Sequence, residues 1–201
     1  MDDTFRTIQN PSEGLFKDKG SRFIARAFPV ESVDQVKEII ASLRKEYHDA
    51  RHHCYAYRIG PGDTIYRVND DGEPANSAGK PILGQIQSNN LTNILIVVVR
   101  YFGGILLGVG GLINAYRSAA KNSLENSEIV VKTFNCRIKI LYPYIAMNDV
   151  MRLIRDSKAE IIKQEFGNDC EILIEIRTGV SEGLIKQLKH IDFVEPQIYT
   201  L

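Results

Sequence analysis

The amino-acid sequence predicts an α+β protein of two domains, residues 1–133 and residues 134–201. Two observations lead to this expectation. Segments with the period of two that is typical of strands are interspersed with segments of helical period. The last third of the chain, moreover, shows the order β-α-β-β-α-β, which is a complete ferredoxin-like motif. A chain of 201 residues is long enough for two domains of this kind.

Composition and charge are those of an ordinary globular protein. With 44% hydrophobic residues and a formal net charge of +0, the chain is neither disordered nor polybasic as a whole. The longest aliphatic run, residues 94–99, is far shorter than the roughly 18 residues of a membrane span. The N-terminus shows no secretory signal, and the three cysteines have no C-x-x-C spacing. We therefore expect a cytoplasmic protein without membrane contact.

The elements of the first domain follow from periodicity and turn chemistry. Alternation predicts a strand over 22–28, and an apolar stripe over 33–43 predicts a helix that Ser32 caps. Residues 52–59 and 64–68 read as two strands that pair across the turn Gly60-Pro61-Gly62. A loop over 69–80 then leads to a short helix. The apolar run over 94–99 predicts a buried strand, and a glycine-rich loop separates it from a last helix over 112–124.

The elements of the second domain are shorter. Alternation predicts strands over 137–141 and 171–177, and two isoleucines at 161–162 indicate a strand between them. Helical spacing over 147–154 predicts one helix, and Ser181 is expected to cap a second. Residues 193–198 read as a last, edge-like strand because Pro196 interrupts backbone pairing.

A long stretch of the first domain carries no acidic residue. Between Glu73 and Glu125 the only charged residues are Lys80, Arg100, Arg117 and Lys121. Arg117 and Lys121 are four residues apart and share one helix face. A surface without negative charge is what a phosphate-bearing partner requires. The alternative is that a buried strand and a buried helix have little surface on which to place charges.

Two short segments combine side chains that can do chemistry. In the first, strand geometry places His52 and Cys54 on one face and His53 on the other, which favours anion binding or a groove over a nucleophile-base pair. In the second, Asp70, Asp71 and Glu73 lie in one turn. Turn formation and helix capping explain these acids. Alternatively they hold Mg²⁺ or act in acid-base chemistry together with the two histidines.

The glycine-rich loop follows a predicted buried strand and precedes a helix, which is the setting for a phosphate at a helix N-terminus. It fits neither the dinucleotide-binding fingerprint nor the Walker pattern. An anion or tight backbone packing both explain its glycines, which are Gly103, Gly104, Gly108, Gly110 and Gly111.

Taken together, these segments resemble the YigZ/Impact family. The blocks that carry the resemblance are KGSRFI (19–24), ARHHC (50–54), DDGEP (70–74), AGKP (78–81), VVRYFGGILLG (98–108), GGL (110–112) and AY (115–116). The resemblance implies a first domain with the fold of domain 2 of ribosomal protein S5. It also implies a ferredoxin-like second domain similar to the last domain of elongation factor G. Eukaryotic Impact proteins regulate translation through a stress-kinase pathway.

We therefore expect a non-enzymatic binding protein of RNA or the ribosome, without cofactor or metal. Tyr55, Tyr57 or Tyr101 is a candidate for stacking on bases. The expected contacts to phosphate and other anions come from Arg22, Arg51, His52, His53, Lys80, Arg100, Tyr101, Gly103, Gly104, Gly108, Gly110, Gly111, Arg117 and Lys121.

Two alternatives stay open. One is a hydrolase or phosphotransferase whose metal-assisted site is built from Asp70, Asp71, Glu73, His52 and His53. The other is a protein-interaction module that regulates a translation-stress kinase or a ribosomal protein.

Overall fold

A computed structural model describes residues 3–61, 65–167 and 169–199 and confirms the α+β class. The chain forms two compact units. Phe5–Lys132 make up the N-terminal unit, and the C-terminal unit comprises the described residues from Thr133 onward together with Asp3 and Thr4. The observed boundary lies one residue from the expected one. The first residues were expected in the other domain, but Asp3 and Thr4 belong to the C-terminal unit.

The N-terminal unit contains one large sheet and three helices. Its strands are β1 (Thr4–Ile8), β2 (Ser12–Asp18), β3 (Ser21–Pro29), β4 (His52–Ile59), β5 (Ile65–Asn69), β6 (Ile94–Tyr101) and β7 (Ile129–Thr133), and its helices are α1 (Val33–Glu46), α2 (Gly79–Ser88) and α3 (Gly108–Glu125). Five strands form a sheet of order β2-β3-β6-β4-β5, and β1 pairs with β7. The strands β1, β2 and β7 were not expected. Gly62 and Thr64, at the expected turn between β4 and β5, lie outside the described residues.

Helices cover both faces of the large sheet. The buried run of β6 is apolar throughout because its alternate side chains enter two different cores. Ile96 and Val98 pack with α2 and α3, whereas Leu95 and Val97 pack with α1. This arrangement explains why the sequence of β6 shows no alternation.

The topology brings the chemistry-bearing segments to one end of the sheet. Because β6 runs antiparallel to both β3 and β4, its last residues lie beside the first residues of those strands. Arg100 is thus paired with Phe23 on one side and His52 on the other. The loop after β5 and the loop after β6 leave the sheet at this same end. Segments that are far apart in sequence therefore meet there.

The C-terminal unit has the expected order β-α-β-β-α-β. Its elements are β8 (Asn135–Pro143), a 3-10 turn (Tyr144–Ala146), α4 (Met147–Asp156), β9 (Glu160–Glu165), β10 (Asp169–Arg177), α5 (Thr178–Leu188) and β11 (Glu195–Tyr199). These strands form an antiparallel sheet of order β11-β8-β10-β9. The alternate isoleucines of β8 and β10 form its core together with both helices.

The helix cap expected at Ser181 is wrong. Helix α5 already begins at Thr178, so Ser181 lies inside its first turn and donates a hydrogen bond to the Thr178 carbonyl. Asp3 takes the role instead. Its carboxylate accepts the N–H of Gly179 at 3.1 Å and two hydrogen bonds from Arg177. The Arg177 guanidinium lowers the pKa of Asp3. A carboxylate beside the first N–H groups of a helix stabilises its N-terminus.

Candidate functional site

The acidic loop after β5 is held together by its own carboxylates. Both oxygens of Asp70 accept backbone N–H groups, from Asn76 at 2.8 Å, Ala78 at 3.0 Å and Gly79 at 2.8 Å. The last two donors lie at the start of α2. Asp70 therefore caps this helix from a distance, which is the structural interpretation that the sequence offered for it.

Asp71 ties the same loop to the beginning of β4. One carboxylate oxygen accepts the backbone N–H of His53 at 2.7 Å, and the other forms an ion pair with Arg44 at 2.7 Å. The carbonyl of Asp71 lies 2.8 Å from Nδ1 of His52. Both charged oxygens of Asp71 are thus used within the protein, and His52 is oriented by the backbone of the loop.

Glu73 belongs to a buried network beneath the loop. Its Oε1 lies 2.7 Å from Nη1 of Arg100 and accepts the hydroxyl of Tyr116, also at 2.7 Å. The side chains of Glu73 and Arg100 are only 4% and 8% exposed. The rings of Phe23 and Phe102 lie 5.4 and 5.8 Å from the Arg100 guanidinium, so aromatic faces also neighbour the charge. Arg100 therefore does not present its charge to a phosphate, contrary to the expectation.

His53 and Cys54 are also interior residues. His53 is 5% exposed, and its burial, with the nearby charge of Arg44, lowers the pKa of the imidazole. The single S–H of Cys54 has two acceptors within reach, the Asp70 carbonyl at 3.0 Å from Sγ and the Tyr116 hydroxyl at 3.3 Å, and burial raises the pKa of the thiol. A buried thiol of raised pKa is a poor nucleophile. The expected anion contact of His53 is likewise not available in this structure.

Among the described residues, no group of three or more His, Cys, Asp or Glu side chains is arranged to hold a metal ion. The three acids of the loop bind different partners, namely backbone N–H groups, Arg44 and Arg100. The metal-assisted arrangement of the two histidines with these acids thus receives no support from the side-chain geometry.

The glycines of the expected loop have different roles. Helix α3 begins at Gly108 and not at residue 112 as expected, so Gly108, Gly110 and Gly111 lie in its first turn and only Gly103 and Gly104 lie in the loop. Gly103 packs directly on the turn between β2 and β3, because a Cβ placed there would lie 1.9 Å from the carbonyl carbon of Gly20. It therefore cannot offer its backbone to a ligand as expected. Gly104, Gly108 and Gly110 have open space where a Cβ would point, and the first two have φ of +90° and +69°.

Gly111 packs on Leu107, because a Cβ added to Gly111 would lie only 2.9 Å from the Cβ of Leu107. The N-cap of α3 has no side-chain hydrogen bond and the first turn of the helix has no acidic residue. The start of this helix therefore leaves part of its backbone uncovered.

The same loop exposes large apolar side chains that the sequence analysis did not single out. Phe102, Ile105, Leu106 and Val109 are 54%, 56%, 82% and 53% exposed. The signal was present in the sequence, since four apolar side chains are interspersed with glycines between two regular elements. The loop thus presents an apolar surface rather than a purely polar anion site.

The remaining expected cations lie on the surface, in two regions. Arg22 and Arg51 are exposed near the end of the sheet, and Arg22 lies 4.9 Å from the ring of Tyr101. Tyr101 itself donates a hydrogen bond to Asp49. Lys80, at the start of α2, belongs to the second region.

The second region is the surface of α2 and α3. Arg117 and Lys121 are exposed on α3, and Lys121 forms an exposed ion pair with Glu125 at 3.6 Å. Lys121 lines a cavity with the polar side chains of Gln85, Ser88 and Asn89 of α2. These three polar residues could not be recognised from the sequence, because only the packing of the two helices places them beside Lys121.

Of the three tyrosines offered as candidates for base stacking, Tyr55 and Tyr57 are buried and not available to a base. They are 8% and 6% exposed, and their rings stack on one another with centroids 6.5 Å apart. Their contacts are with the core beneath α1.

No helix within the described parts of the chain is both long and apolar enough to cross a lipid bilayer.

Comparison with known proteins gives consistent similarities. The Impact N-terminal domain family matches residues 19–124. The Escherichia coli protein named IMPACT family member YigZ is 37% identical over 150 residues, which cover 74% of each chain. The rat protein IMPACT is 42% identical over 96 residues, which cover 45% of this chain and 30% of the rat protein. A crystal structure of a hypothetical protein superposes with a TM-score of 0.74 at 28% identity, covering 100% of this chain and 98% of that one.

Proposed function

Because the chain belongs to the IMPACT family, we propose that it is a non-enzymatic binding protein of the translation machinery and that its N-terminal unit binds RNA. The observation that carries this proposal is the paired surface of α2 and α3. Lys80, Arg117 and Lys121 are exposed there, in a stretch of sequence without acidic residues from 74 to 124. A function at the ribosome entails a cytoplasmic location.

The chemistry of this surface suits a nucleic-acid backbone. Arginine and lysine bind phosphate oxygens, and amides and hydroxyls such as those of Gln85, Ser88 and Asn89 contribute hydrogen bonds to phosphate and sugar. The acid at the end of α3, Glu125, is already paired with Lys121. A few cations on a neutral chain support weak binding that depends steeply on salt rather than tight general binding.

RNA binding at two salt concentrations tests the proposal. Affinity for a single-stranded RNA is measured at about 50 and 200 mM salt, and each phosphate contact adds about 0.7 to the slope of log K against log salt. The double variant Arg117→Glu with Lys121→Glu is expected to lower both the affinity and this slope. Lys45→Glu with Lys132→Glu changes the net charge equally at exposed positions outside α2 and α3 and serves as the control.

If both double variants lost RNA affinity equally, the loss would follow from net charge alone, and this result would contradict the proposed surface. Absence of RNA binding by the wild-type protein at both salt concentrations would remove the proposal. The geometry gives no specific observation in favour of the hydrolase alternative, since its acids and histidines serve contacts within the protein.

A further inference from the structure

The loop after β6 exposes apolar side chains that the proposed RNA surface on α2 and α3 does not include. Its four large side chains, at 102, 105, 106 and 109, are each more than half exposed. Exposure of one such side chain is ordinary, but a cluster within a single short segment is typical of an interaction site.

The loop is held in a defined conformation. Gly103 rests against the turn between β2 and β3 and donates its N–H to the hydroxyl of Ser21 at 3.1 Å. The ring of Phe102 lies 5.8 Å from the buried Arg100 guanidinium. Leu107, between the exposed residues, packs on the core. The exposed side chains are therefore presented from an anchored segment, which reduces the entropy lost on binding.

Positive charge lies on the hairpin that contacts this apolar loop. The hairpin that contacts Gly103 carries Lys17, Lys19 and Arg22, all exposed, and one acid, Asp18. Arg22 also has the carboxylate of Asp49 nearby, so Lys17 and Lys19 are the cations that this hairpin offers to a partner. The segment 102–109 ends in the first turn of α3, which begins at Gly108 and has neither a side-chain cap nor an acidic residue there, so the positive end of the helix dipole lies at this segment. The loop itself contains no acid to offset these charges.

We propose that the loop at 102–109 and the hairpin turn at 17–22 form a docking surface for an acidic, amphipathic segment of a partner protein. The apolar side chains of the segment bury Leu106 and its neighbours, and its carboxylates face the cations of the hairpin. Three of the four exposed apolar residues, Ile105, Leu106 and Val109, have no ring on which a base stacks. The cluster therefore favours a protein over RNA as its ligand.

A peptide titration tests this proposal independently of the RNA experiment. The probe is a fluorescent amphipathic peptide of about 15 residues with leucine at positions i, i+3, i+4 and i+7, glutamate at four of the other positions and alanine at the rest. The full-length protein is expected to bind it and to bind a lysine-for-glutamate version much more weakly. Leu106→Ser is expected to weaken binding on the order of tenfold, the loss that follows when one central apolar contact is truncated.

Matched variants separate the two components of the surface. Val131→Ser removes another apolar side chain that is 67% exposed, on β7, and is expected to leave the affinity unchanged. Lys19→Glu is expected to weaken binding and to reduce its salt dependence, whereas Lys45→Glu on α1 leaves both unchanged.

Three results would overturn the proposal. These are failure of the acidic peptide to bind, equal affinity for the acidic and the basic peptide, and unchanged affinity in Leu106→Ser. A fourth outcome, in which Leu106→Ser weakens RNA binding alone, would assign the loop to nucleic acid and would also contradict it. Loss of RNA binding in the Arg117/Lys121 variant with intact peptide binding would show that the two surfaces are separate.

Discussion

Substitution of Glu73 by glutamine separates a structural role for the acidic loop from a catalytic one. Glu73 and Arg100 are buried at 2.7 Å, and Tyr116 donates to the same carboxylate oxygen. Glutamine keeps the shape and an acceptor oxygen but leaves the Arg100 guanidinium without its counter-charge. Loss of one partner of a buried ion pair costs about 3–5 kcal/mol, and the retained acceptor places the expected cost near the lower limit.

Urea denaturation followed by circular dichroism measures this cost, since the chain contains no tryptophan to follow by fluorescence. With a denaturant slope of about 2 kcal/mol per M, a loss of about 3 kcal/mol lowers the unfolding midpoint by roughly 1.5 M. Glu125→Gln is the control, because its exposed ion pair with Lys121 is worth at most about 1 kcal/mol. The double variant Glu73→Gln with Arg100→Met is expected to lose less than the sum of its single variants.

A Glu73→Gln protein as stable as the wild type would refute this reasoning. If that protein had in addition lost a binding or hydrolytic activity, Glu73 would be a functional residue. Loss of a hydrolytic activity would support the hydrolase alternative.

Three further predictions compare buried residues with more exposed ones or follow from burial. Burial lowers the pKa of His53 below its usual 6.5, so the imidazole is expected to leave the free energy of unfolding undiminished above pH 6.5 and to lower it as the pH falls toward the folded-state pKa. In His53→Phe, the free energy of unfolding should depend less on pH over this range. Gly103→Ala is expected to lower the melting temperature strongly because its Cβ collides with backbone, whereas Gly110→Ala, in a helix with open space, should stabilise by up to about 1 kcal/mol. In a native thiol titration, Cys136 should react before the buried Cys54, whose raised pKa keeps it a thiol; faster modification of Cys54 would contradict its interior placement.

Much of the fold could be predicted from local sequence patterns. Strong alternation identified β3 and β10, and the apolar run of β6 identified a strand covered on both faces. The strands β1, β2 and β7 were not predicted, because their sequences lack a clear alternating pattern and pairing with neighbouring strands determines their structure. In β2, Gly14 interrupts the apolar positions, and this glycine is needed because α3 approaches it so closely that a Cβ would lie 2.3 Å from the backbone nitrogen of Ser123.

The site could be predicted only in part, since charge and sequence spacing do not reveal burial. The blocks at 19–24, 50–54, 70–74 and 98–108 do meet at one end of the sheet, and helix capping by Asp70 follows from ordinary turn chemistry. Arg100 counts as a cation in sequence, but its partner Glu73 lies in a different loop and neutralises it in the core. Arg117 and Lys121 are exposed on α3, where their four-residue spacing places them on one helix face; their contact with RNA stays a prediction.

The central claim, that RNA binds on α2 and α3, is tested most directly by amide chemical shifts recorded while a single-stranded RNA is added to the labelled protein. We expect the amides that shift to cluster on these two helices, around Lys80, Gln85, Arg117 and Lys121. Shifts confined to the acidic loop around His52 and Asp71, or no shifts at any RNA concentration, would contradict the claim.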